Sequence, residues 1–519
     1  MKKPVLGIAL FFLVSVALIW AGGGQSTTQT TTGRKKITVE IFERNQAGLD
    51  ASNNWATKWI QQNWGDPRNA DIEFIPIPRA QEIDMLNILM AANNAPDLCY
   101  TYTDSVVYSY VQGGGLYALD DLLKTPNGVT VSNYLTQPVL AWGRWNGNQY
   151  AMPARRMDIG ATATFIRKDW LDKLGLPLPT TFDEFYNAIT AFKQKDPGGV
   201  GNLLIPFAME AYDPSISWSA ATILDAYLGP MSQEDLATTR NVEFARPGIK
   251  EGLRYLNKLY HEGLISPNFA LDKDQSQYFK DILAGRVGAF VRSPVSWIYQ
   301  ANNTAQLEQS APGALYVPID PFSNSQGKKA KRSNDPIGYY VFIPKTAKNP
   351  DLVIDYMAWQ TDPANQLVMR NGMQGINYEG LTPEGIPYGI KSNQDVANEY
   401  KFPGGDLIVV INGTDYGSQE LNDQAKITAN PTYGSFWIQA DRIANNDRFD
   451  VPPITTPIAS VASLGTTVRA KGNELYVRSI MAPPDQFDQT FDSLYKEYMD
   501  IGGQKIIDES KAAWEKDNP

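Results

Sequence analysis

The sequence predicts an α/β fold, and three observations support this prediction. Residues 37–42 alternate polar and apolar side chains as a half-buried strand does, and residues 71–77 and 97–102 are typical of two further strands. Helical patterns lie between them, and two consecutive strand–helix–strand units with short links imply a parallel sheet with right-handed crossovers. The length of 519 residues suits two or three domains.

The first helices are indicated by the spacing of their apolar residues. Trp55 and Trp59 lie one helical turn apart within residues 52–64, and a second helix carries Ile83, Leu86 and Met90 on one face. In parallel sheets, ligands bind beyond the carboxyl ends of the strands. We therefore expect residues 43–45 and 102–104 to lie on the binding edge.

The middle of the chain is predicted to be mostly helical. Residues 167–175 form a short helix closed by glycine, Thr181 and Glu184 have the spacing of a capping box, and further helices are expected at residues 247–263 and 349–357. Two stretches, residues 285–290 and 337–343, combine a glycine with an apolar run. Strands that return between two lobes could have this composition.

The first residues have the pattern of a secretory signal peptide. Met1-Lys2-Lys3 precedes an apolar run at residues 5–20 and a small-residue site at residues 21–24, so we predict a signal peptide at residues 1–21 and a flexible tether at residues 22–36. No cysteine stands at the cleavage site to carry a lipid. Beyond Ala21 no apolar run approaches the ~20 residues that a membrane span needs. We therefore expect a soluble periplasmic protein.

Composition argues against several classes of function. Loss of the two leader lysines takes the net charge from −10 to −12, which does not favour nucleic acid or an anionic membrane as partner. Cys99 and His261 are the only residues of their types. An intramolecular disulfide and a thiolate metal cluster are thus excluded, and any Ser-His-Asp triad, Cys-His pair or histidine zinc site would need His261. We expect Cys99 to be a buried small hydrophobe and His261 to lie in the last turn of a helix.

Several segments, in this order along the chain, carry a resemblance to a known family. The chain resembles family 1 of the extracellular solute-binding proteins of ABC importers, in its larger lipoprotein-like branch. The matching segments, read from the sequence, are APDL at 95–98 with GLYALDDL at 115–122, NQYAMP at 148–153, RKDWLDKLGL at 167–176 with PTTFDEF at 179–185, HEGLI at 261–265, AGRVG at 284–288 and YEG at 378–380.

The resemblance implies a type II-like periplasmic-binding-protein fold, in which two discontinuous lobes are joined by hinge strands. We place one lobe at residues 37–160 plus 288–338 and the other at residues 161–287 plus 339–510. Ligands of this branch are mostly mono- and oligosaccharides, which are clamped in the cleft and delivered to a pair of membrane permease subunits. The implied partners are thus a carbohydrate and an importer, and we expect a monomer.

One segment departs from the family pattern. Some relatives carry a calcium loop after the Thr-Phe-Asp-Glu helix, whereas residues 196–206 here read DPGGVGNLLIP. Calcium needs six to eight oxygens, and Gly198 and Val200 offer no side-chain oxygen. We predict a glycine-rich turn at this position, and we expect neither a metal nor a cofactor.

Candidate ligand contacts follow from the chemistry of sugars and from position. Sugars present apolar faces to aromatic rings and hydroxyl pairs to bidentate polar groups. Arg155, Arg156 and Asp158 lie beside the first predicted crossover between the lobes, and their charges need partners there. Ion pairing between the lobes is therefore the alternative to ligand contact for these three residues. By contrast, Trp55, Trp59 and Trp170 are expected in the core. The predicted ligand-binding residues are Asn45, Tyr102, Asp104, Arg155, Arg156, Asp158, Trp218, Trp297 and Trp437.

Two alternatives remain beside a sugar receptor. A binding protein for a peptide or polyamine would differ in its site, since a polyamine site would be ringed by carboxylates. The other alternative is a secreted glycoside hydrolase or polysaccharide lyase, and a hydrolase would need two carboxylates about 5–9.5 Å apart. The sequence shows no nucleophile elbow, phosphate loop or metal-ligand cluster, so we do not expect an enzyme.

Overall fold

The computed structural model describes residues 33–211, 217–293 and 297–519. The predicted signal peptide and most of the predicted tether lie outside these ranges. Across the described ranges, no helix is both long enough and apolar enough to cross a membrane.

Strands and helices alternate along the chain and are numbered here in chain order. The strands are β1 Lys35–Glu43, β2 Ala70–Pro78, β3 Cys99–Thr101, β4 Arg144–Trp145, β5 Asn148–Gln149, β6 Ala151–Arg156, β7 Ala163–Arg167, β8 Ile205–Phe207, β9 Val287–Arg292, β10 Tyr316–Ile319, β11 Lys331–Arg332, β12 Ile337–Phe342, β13 Gly380–Leu381, β14 Pro387–Tyr388, β15 Ile411–Asn412 and β16 Arg448–Phe449.

The helices are α1 Trp55–Ile60, α2 Glu82–Ala91, α3 Asp104–Gln112, α4 Pro126–Leu135, α5 Gln137–Leu140, α6 Lys168–Leu174, α7 Phe182–Lys195, α8 Ala221–Tyr227, α9 Gln233–Thr238, α10 Ile249–His261, α11 Ser276–Leu283, α12 Ala301–Ser310, α13 Pro350–Trp359, α14 Pro363–Asn371, α15 Gln419–Ala429, α16 Gly434–Asn445, α17 Ala459–Met481, α18 Phe487–Tyr498 and α19 Gln504–Asp517.

The sheet of the first lobe has the order β2-β1-β3-β12-β6-β15. The predicted parallel start is confirmed: β1 pairs in parallel with β2, and the amide of Glu40 donates to the carbonyl of Leu98, just before β3, at 2.9 Å. In contrast, β12 runs antiparallel between β3 and β6. The carboxyl ends of β1, β2 and β3 thus share one edge of the sheet. Residues 43–45 and 102–104 follow β1 and β3 and therefore lie at this edge, as expected from the sequence.

The sheet of the second lobe has the order β10-β7-β9-β8, with β7 antiparallel to both neighbours. Its helices follow the predicted signals: α6 ends at Gly175, which has φ 66°, and the Thr181 side chain accepts a hydrogen bond from the amide of Glu184 at the start of α7. As predicted, Trp170 is completely buried, and its ring meets that of Phe192 edge-on at 5.2 Å.

Three chain segments connect the lobes: residues 157–160, 333–336 and 413–417. Backbone hydrogen bonds tie them side by side, since the amide of Met157 donates to the carbonyl of Asn412 at 3.0 Å and that of Asn334 to the carbonyl of Ile159 at 2.7 Å. These segments form the hinge.

The predicted lobe boundaries after residue 287 are wrong. Strands β9 and β10 pair with β7, so residues 288–332 belong to the second lobe, whereas β12 pairs with β3 and β6, so residues 337–411 belong to the first. A glycine next to an apolar run marks a buried strand but not the sheet that it joins, because strand pairing depends on distant residues. The chain therefore returns to the first lobe at residues 333–336 and leaves it again at residues 413–417.

The single cysteine and histidine both have structural surroundings. Cys99 is completely buried in the core of the first lobe, which confirms its predicted role as a small hydrophobe. His261 is the last residue of α10, and its Nε2 lies 2.7 Å from the carbonyl oxygen of Ala482.

Candidate functional site

Aromatic and guanidinium groups lie along the carboxyl edge of the first-lobe sheet. Tyr102 follows β3, its side chain is 39% exposed, and its ring lies parallel to that of Phe42 at 6.1 Å. The guanidinium of Arg79, which follows β2, lies 4.6 Å from the Tyr102 ring, while the Tyr339 ring from β12 meets Tyr102 edge-on at 5.4 Å. A flat ring is thus held in a fixed position and left partly open to solvent.

The loop after β1 lies beside this ring. Arg44 forms a bidentate ion pair with Asp406, with Nε and Nη2 at 2.5 and 2.9 Å from the carboxylate oxygens. Asn45 follows at an exposed turn with φ 54°, where its amide donates to Glu43 Oε1 at 2.7 Å. Arg44 is therefore engaged by the protein, whereas the side chain of Asn45 points to no described partner.

Arg155 and Arg156, at the end of β6, have different surroundings. Arg155 pairs with Asp415 of the hinge, and its guanidinium lies 5.0 Å from the ring of Tyr134. Arg156 donates from Nε to the carbonyl of Ile337 at 2.8 Å. Burial lowers the pKa of Arg156, and the nearby Asp335 and Asp158 carboxylates oppose this effect.

Asp158 lies in the first hinge segment between the lobes. Burial raises the pKa of its carboxyl group, and the carboxylate of Asp441 from the second lobe raises it further, while Lys426, Arg156 and Arg370 act in the opposite direction. The pKa of Asp158 therefore depends on charged groups of both lobes.

A groove with a cavity volume of about 80 Å³ lies between the lobes around Asp104. On the first lobe its walls include Asp104, at the start of α3, with Trp142 and Tyr340. On the second lobe they include Arg240 and the loop of residues 453–458. Its lining mixes apolar and polar groups, as the lining of small-molecule sites does.

Arg240 joins the two sides of this groove. It forms an ion pair with Asp335, with Nη1 at 2.8 Å from Oδ1, and its guanidinium carbon lies 4.8 Å from the Trp142 ring centroid. A second cavity of about 290 Å³ shares Asp104 and Arg240 and is also lined by Arg469 of α17 and Tyr498 of α18.

The three predicted tryptophans of the second lobe lie at separate positions. Trp297 follows β9 and packs at 4.4 Å against the ring of Phe279, and Trp218 opens a short 3-10 turn after β8. Trp437 lies on α16, partly buried against the core around Ala440. All three are partly exposed, and no ring contact joins them to one another within the described ranges.

Comparison with known proteins identifies the family. A family model described as bacterial extracellular solute-binding protein matches residues 45–367. The chain belongs to this family. Lipoprotein LipO of Bacillus subtilis (strain 168) is 25% identical over 401 residues, covering 73% of this chain and 74% of LipO. The polygalacturonan/rhamnogalacturonan-binding protein YtcQ of the same strain is 25% identical over 233 residues, covering 44% and 45% of the two chains.

Solved structures agree with the family in their fold. An HMO binding ABC-transporter associated solute-binding protein from Bifidobacterium longum infantis ATCC 15697 superposes with a TM-score of 0.68 at 17% identity, covering 93% of this chain and 99% of that chain. This likeness confirms the predicted two-lobe α/β fold.

In this solute-binding protein, the start of residues 196–206, where some relatives carry a calcium loop, forms a tight turn. Asp196 accepts from the amides of Val200 at 2.8 Å and Gly201 at 2.7 Å, so its carboxylate is used to close the turn. Among the residues that the structure describes, no group of three or more His, Cys, Asp or Glu side chains could hold a metal ion.

The structure brings some predicted residues together and adds others. Tyr102, Arg156 and Asp158 lie in one electrostatic neighbourhood, whereas Asp104 lies in the groove and Asn45 at its own turn. Sequence reasoning missed Trp142, Trp145, Tyr340, Arg240 and Arg370. Two tryptophans in WGRW just before an Asn-Gly turn gave a signal at residues 142–147 that could have been used. Arg240 had no local signal.

Proposed function

We propose that this solute-binding protein captures a carbohydrate, an oligosaccharide by preference, between its lobes and delivers it to an ABC importer. One observation carries the proposal: rings and guanidinium groups meet in pairs, one at the carboxyl edge of the first-lobe sheet and one in the groove between the lobes. Arg79 lies over Tyr102, and Arg240 lies over Trp142. Rings suit the apolar faces of a sugar, and the neighbouring polar groups suit its hydroxyl pairs.

The charges of the cleft favour a sugar over a polyamine. The groove combines Asp104 with Arg144 and Arg240, and its other lining is mostly aromatic, aliphatic or hydroxyl-bearing. A polyamine site would need carboxylates on all sides. YtcQ is a polygalacturonan/rhamnogalacturonan-binding protein and the Bifidobacterium protein is an HMO binding protein, which supports a saccharide as ligand.

We propose the following ligand contacts. Tyr102, Asp104, Arg156 and Asp158 contact the sugar from the first lobe and hinge, with Asn45 at the rim of the site. We assign Arg155 to the hinge, because Asp415 engages its guanidinium. The proposed contacts from the second lobe are Trp218, Trp297 and Trp437.

We propose that closure of the lobes is the transport signal. Ligand touches one lobe in an open form and both in a closed form, so binding shifts the population toward closure about the three hinge segments. The closed monomer would then dock on two permease subunits in the inner membrane. We place the protein in the periplasm without a lipid anchor, because Cys99 is the only cysteine and lies in the core.

The decisive experiment is thermal unfolding of the mature protein with mono- and oligosaccharides, using amino acids, peptides and polyamines as controls. Ligand at about 100 times its Kd stabilises the native state by about 2.7 kcal/mol, which gives a clear shift in Tm. A shift with saccharides and no product on long incubation supports the proposal. A shift with a control solute alone would contradict it, and a consumed saccharide would make the protein an enzyme.

A further inference from the structure

A cavity of about 420 Å³ lies on the first lobe beside the hinge. Its walls are formed by α14, by Tyr134 of α4 and by residues 414–417 of the third hinge segment. It shares no lining residue with the groove around Asp104. The lobe thus offers a second concave surface that adjoins the moving part of the molecule.

Arg370, near the end of α14, lines this cavity and forms no ion pair with any residue that the structure describes. Its Nη2 is buried and has no hydrogen-bond partner among the described residues. Burial lowers the pKa of Arg370, and the Asp158 carboxylate opposes this effect without forming an ion pair with the guanidinium among the described residues. Its neighbour Arg155 differs, since Asp415 neutralises it.

The other polar groups of the cavity suit a polyhydroxylated molecule. Gln366 donates from Nε2 to the Tyr134 hydroxyl at 2.9 Å, and Tyr416 faces the cavity from the hinge segment. Two carboxylates also line it: Asp415 is held by Arg155, and Glu384 is exposed. The largely buried charged group of the cavity without an ion pair to a described residue is therefore the Arg370 guanidinium, and hydroxyl and amide groups surround it.

Arg370 also connects this cavity to the candidate site. Its charge acts on Asp158 in the first hinge segment and on Tyr339. The Tyr339 ring in turn contacts Tyr102 at 5.4 Å. Arg370 thus lies between the cavity and the edge of the sheet where we propose that the ligand binds.

We propose that Arg370 binds a carboxylate of the ligand, so that the substrate class is acidic oligosaccharides that contain a uronate unit. This inference rests on the proposed carbohydrate-binding function. A carboxylate can accept two parallel hydrogen bonds from a guanidinium, so a uronate in the cavity would pair with the part of Arg370 that lines it. A neutral sugar would leave Arg370 without a direct ion pair, and a largely buried cation without one is unfavourable.

Isothermal titration with matched saccharide pairs tests this inference. The pairs are trigalacturonate with galactotriose, trimannuronate with mannotriose, and a glucuronate-bearing xylotriose with xylotriose. We expect at least one acidic member to bind about tenfold more tightly than its neutral partner. Arg370→Gln should abolish that preference and leave binding of the neutral member unchanged, and Arg370→Lys should retain part of it.

The control variant is Arg254→Gln, because Arg254 pairs with Asp488 on the outside of the second lobe. It should keep the wild-type preference. Equal binding of both members in every pair, or a preference that survives Arg370→Gln, would overturn the inference while leaving the carbohydrate receptor intact. Failure of every saccharide to bind would overturn the proposed function as well. If Arg370→Gln does not fold, a wild-type preference that is insensitive to added salt would overturn the inference.

Discussion

The guanidinium carbon of Arg240 lies 4.8 Å from the ring centroid of Trp142, and the two residues belong to different lobes. Arg240 also pairs with Asp335 in the second hinge segment. One side chain therefore contacts the second hinge segment and reaches across the groove that contains Asp104. Because a cation–π contact contributes about 0.5–2 kcal/mol, this contact biases the angle between the lobes before ligand binds.

Arg240→Ala should open the ligand-free protein. Loss of the contact with Trp142 removes an attraction between the lobes, so we expect a larger radius of gyration by small-angle X-ray scattering without ligand. Arg254→Ala, on the outside of the second lobe, should leave the radius unchanged. Equal radii for wild type and Arg240→Ala would show that the contact does not hold the lobes together.

Glu40 predicts a pH dependence of stability. This residue of β1 is 1% exposed, its Oε2 accepts from the amide of Tyr100 at 2.9 Å, and its Oε1 has no partner among the described residues. Burial raises the pKa of Glu40 well above its ordinary value. The folded state thus holds a proton that the unfolded state releases above about pH 4.3, so stability falls as pH rises from there toward the folded pKa.

Glu40→Gln should remove this loss, because the amide oxygen can still accept from Tyr100 and carries no charge. Urea denaturation should give a higher free energy of unfolding for Glu40→Gln than for wild type at pH 7, and no gain at pH 3.5. Glu73→Gln, at an exposed position on β2 paired with Lys36, is the matched control and should show no such pH-dependent gain. A gain of the same size at both pH values would argue against titration of Glu40.

Local patterns predicted the start of the first lobe well. The strand at residues 37–42 and the helix with Leu86 depend on the spacing of neighbouring apolar residues, and both are present as β1 and α2. The end of α6 at Gly175 follows from the freedom of glycine at φ 66°. These features need little information from the rest of the chain.

Pairing between distant segments could not be predicted in this way. Strands β9 and β12 are both short, buried and glycine-containing, yet they join different sheets. Likewise, Arg240 meets Trp142 only because the folded lobes approach each other there. The sequence predicted that Arg155 and Arg156 need partners, but only the structure shows that Asp415 lies beside Arg155. Only the structure, too, shows that Nη2 of Arg370 has no hydrogen-bond partner within the described ranges.

Gly413→Ala should destabilise the hinge. Gly413 has φ 103°, and an added Cβ would lie 2.8 Å from Cβ of Met157 in the neighbouring hinge segment. The substitution therefore combines backbone strain with overpacking, and we expect a loss of about 1–3 kcal/mol in the free energy of unfolding. Gly417→Ala is a matched control, because Gly417 has φ 89° but no atom within 4 Å of its added Cβ. Equal losses for the two variants would assign the effect to backbone strain alone.

Trp297→Ala should weaken ligand binding without unfolding the protein. The Trp297 ring packs on Phe279 beyond the end of β9 and remains partly exposed, so its free face can stack on a sugar. Loss of that apolar contact should cost about 1–3 kcal/mol of binding free energy, measured by titration with the saccharide that gives the largest Tm shift. Trp59→Ala is the control, since Trp59 packs on Trp359 in the first lobe and should affect stability rather than affinity. Unchanged affinity in Trp297→Ala would remove this tryptophan from the site and leave Trp218 and Trp437 as the candidate rings of the second lobe.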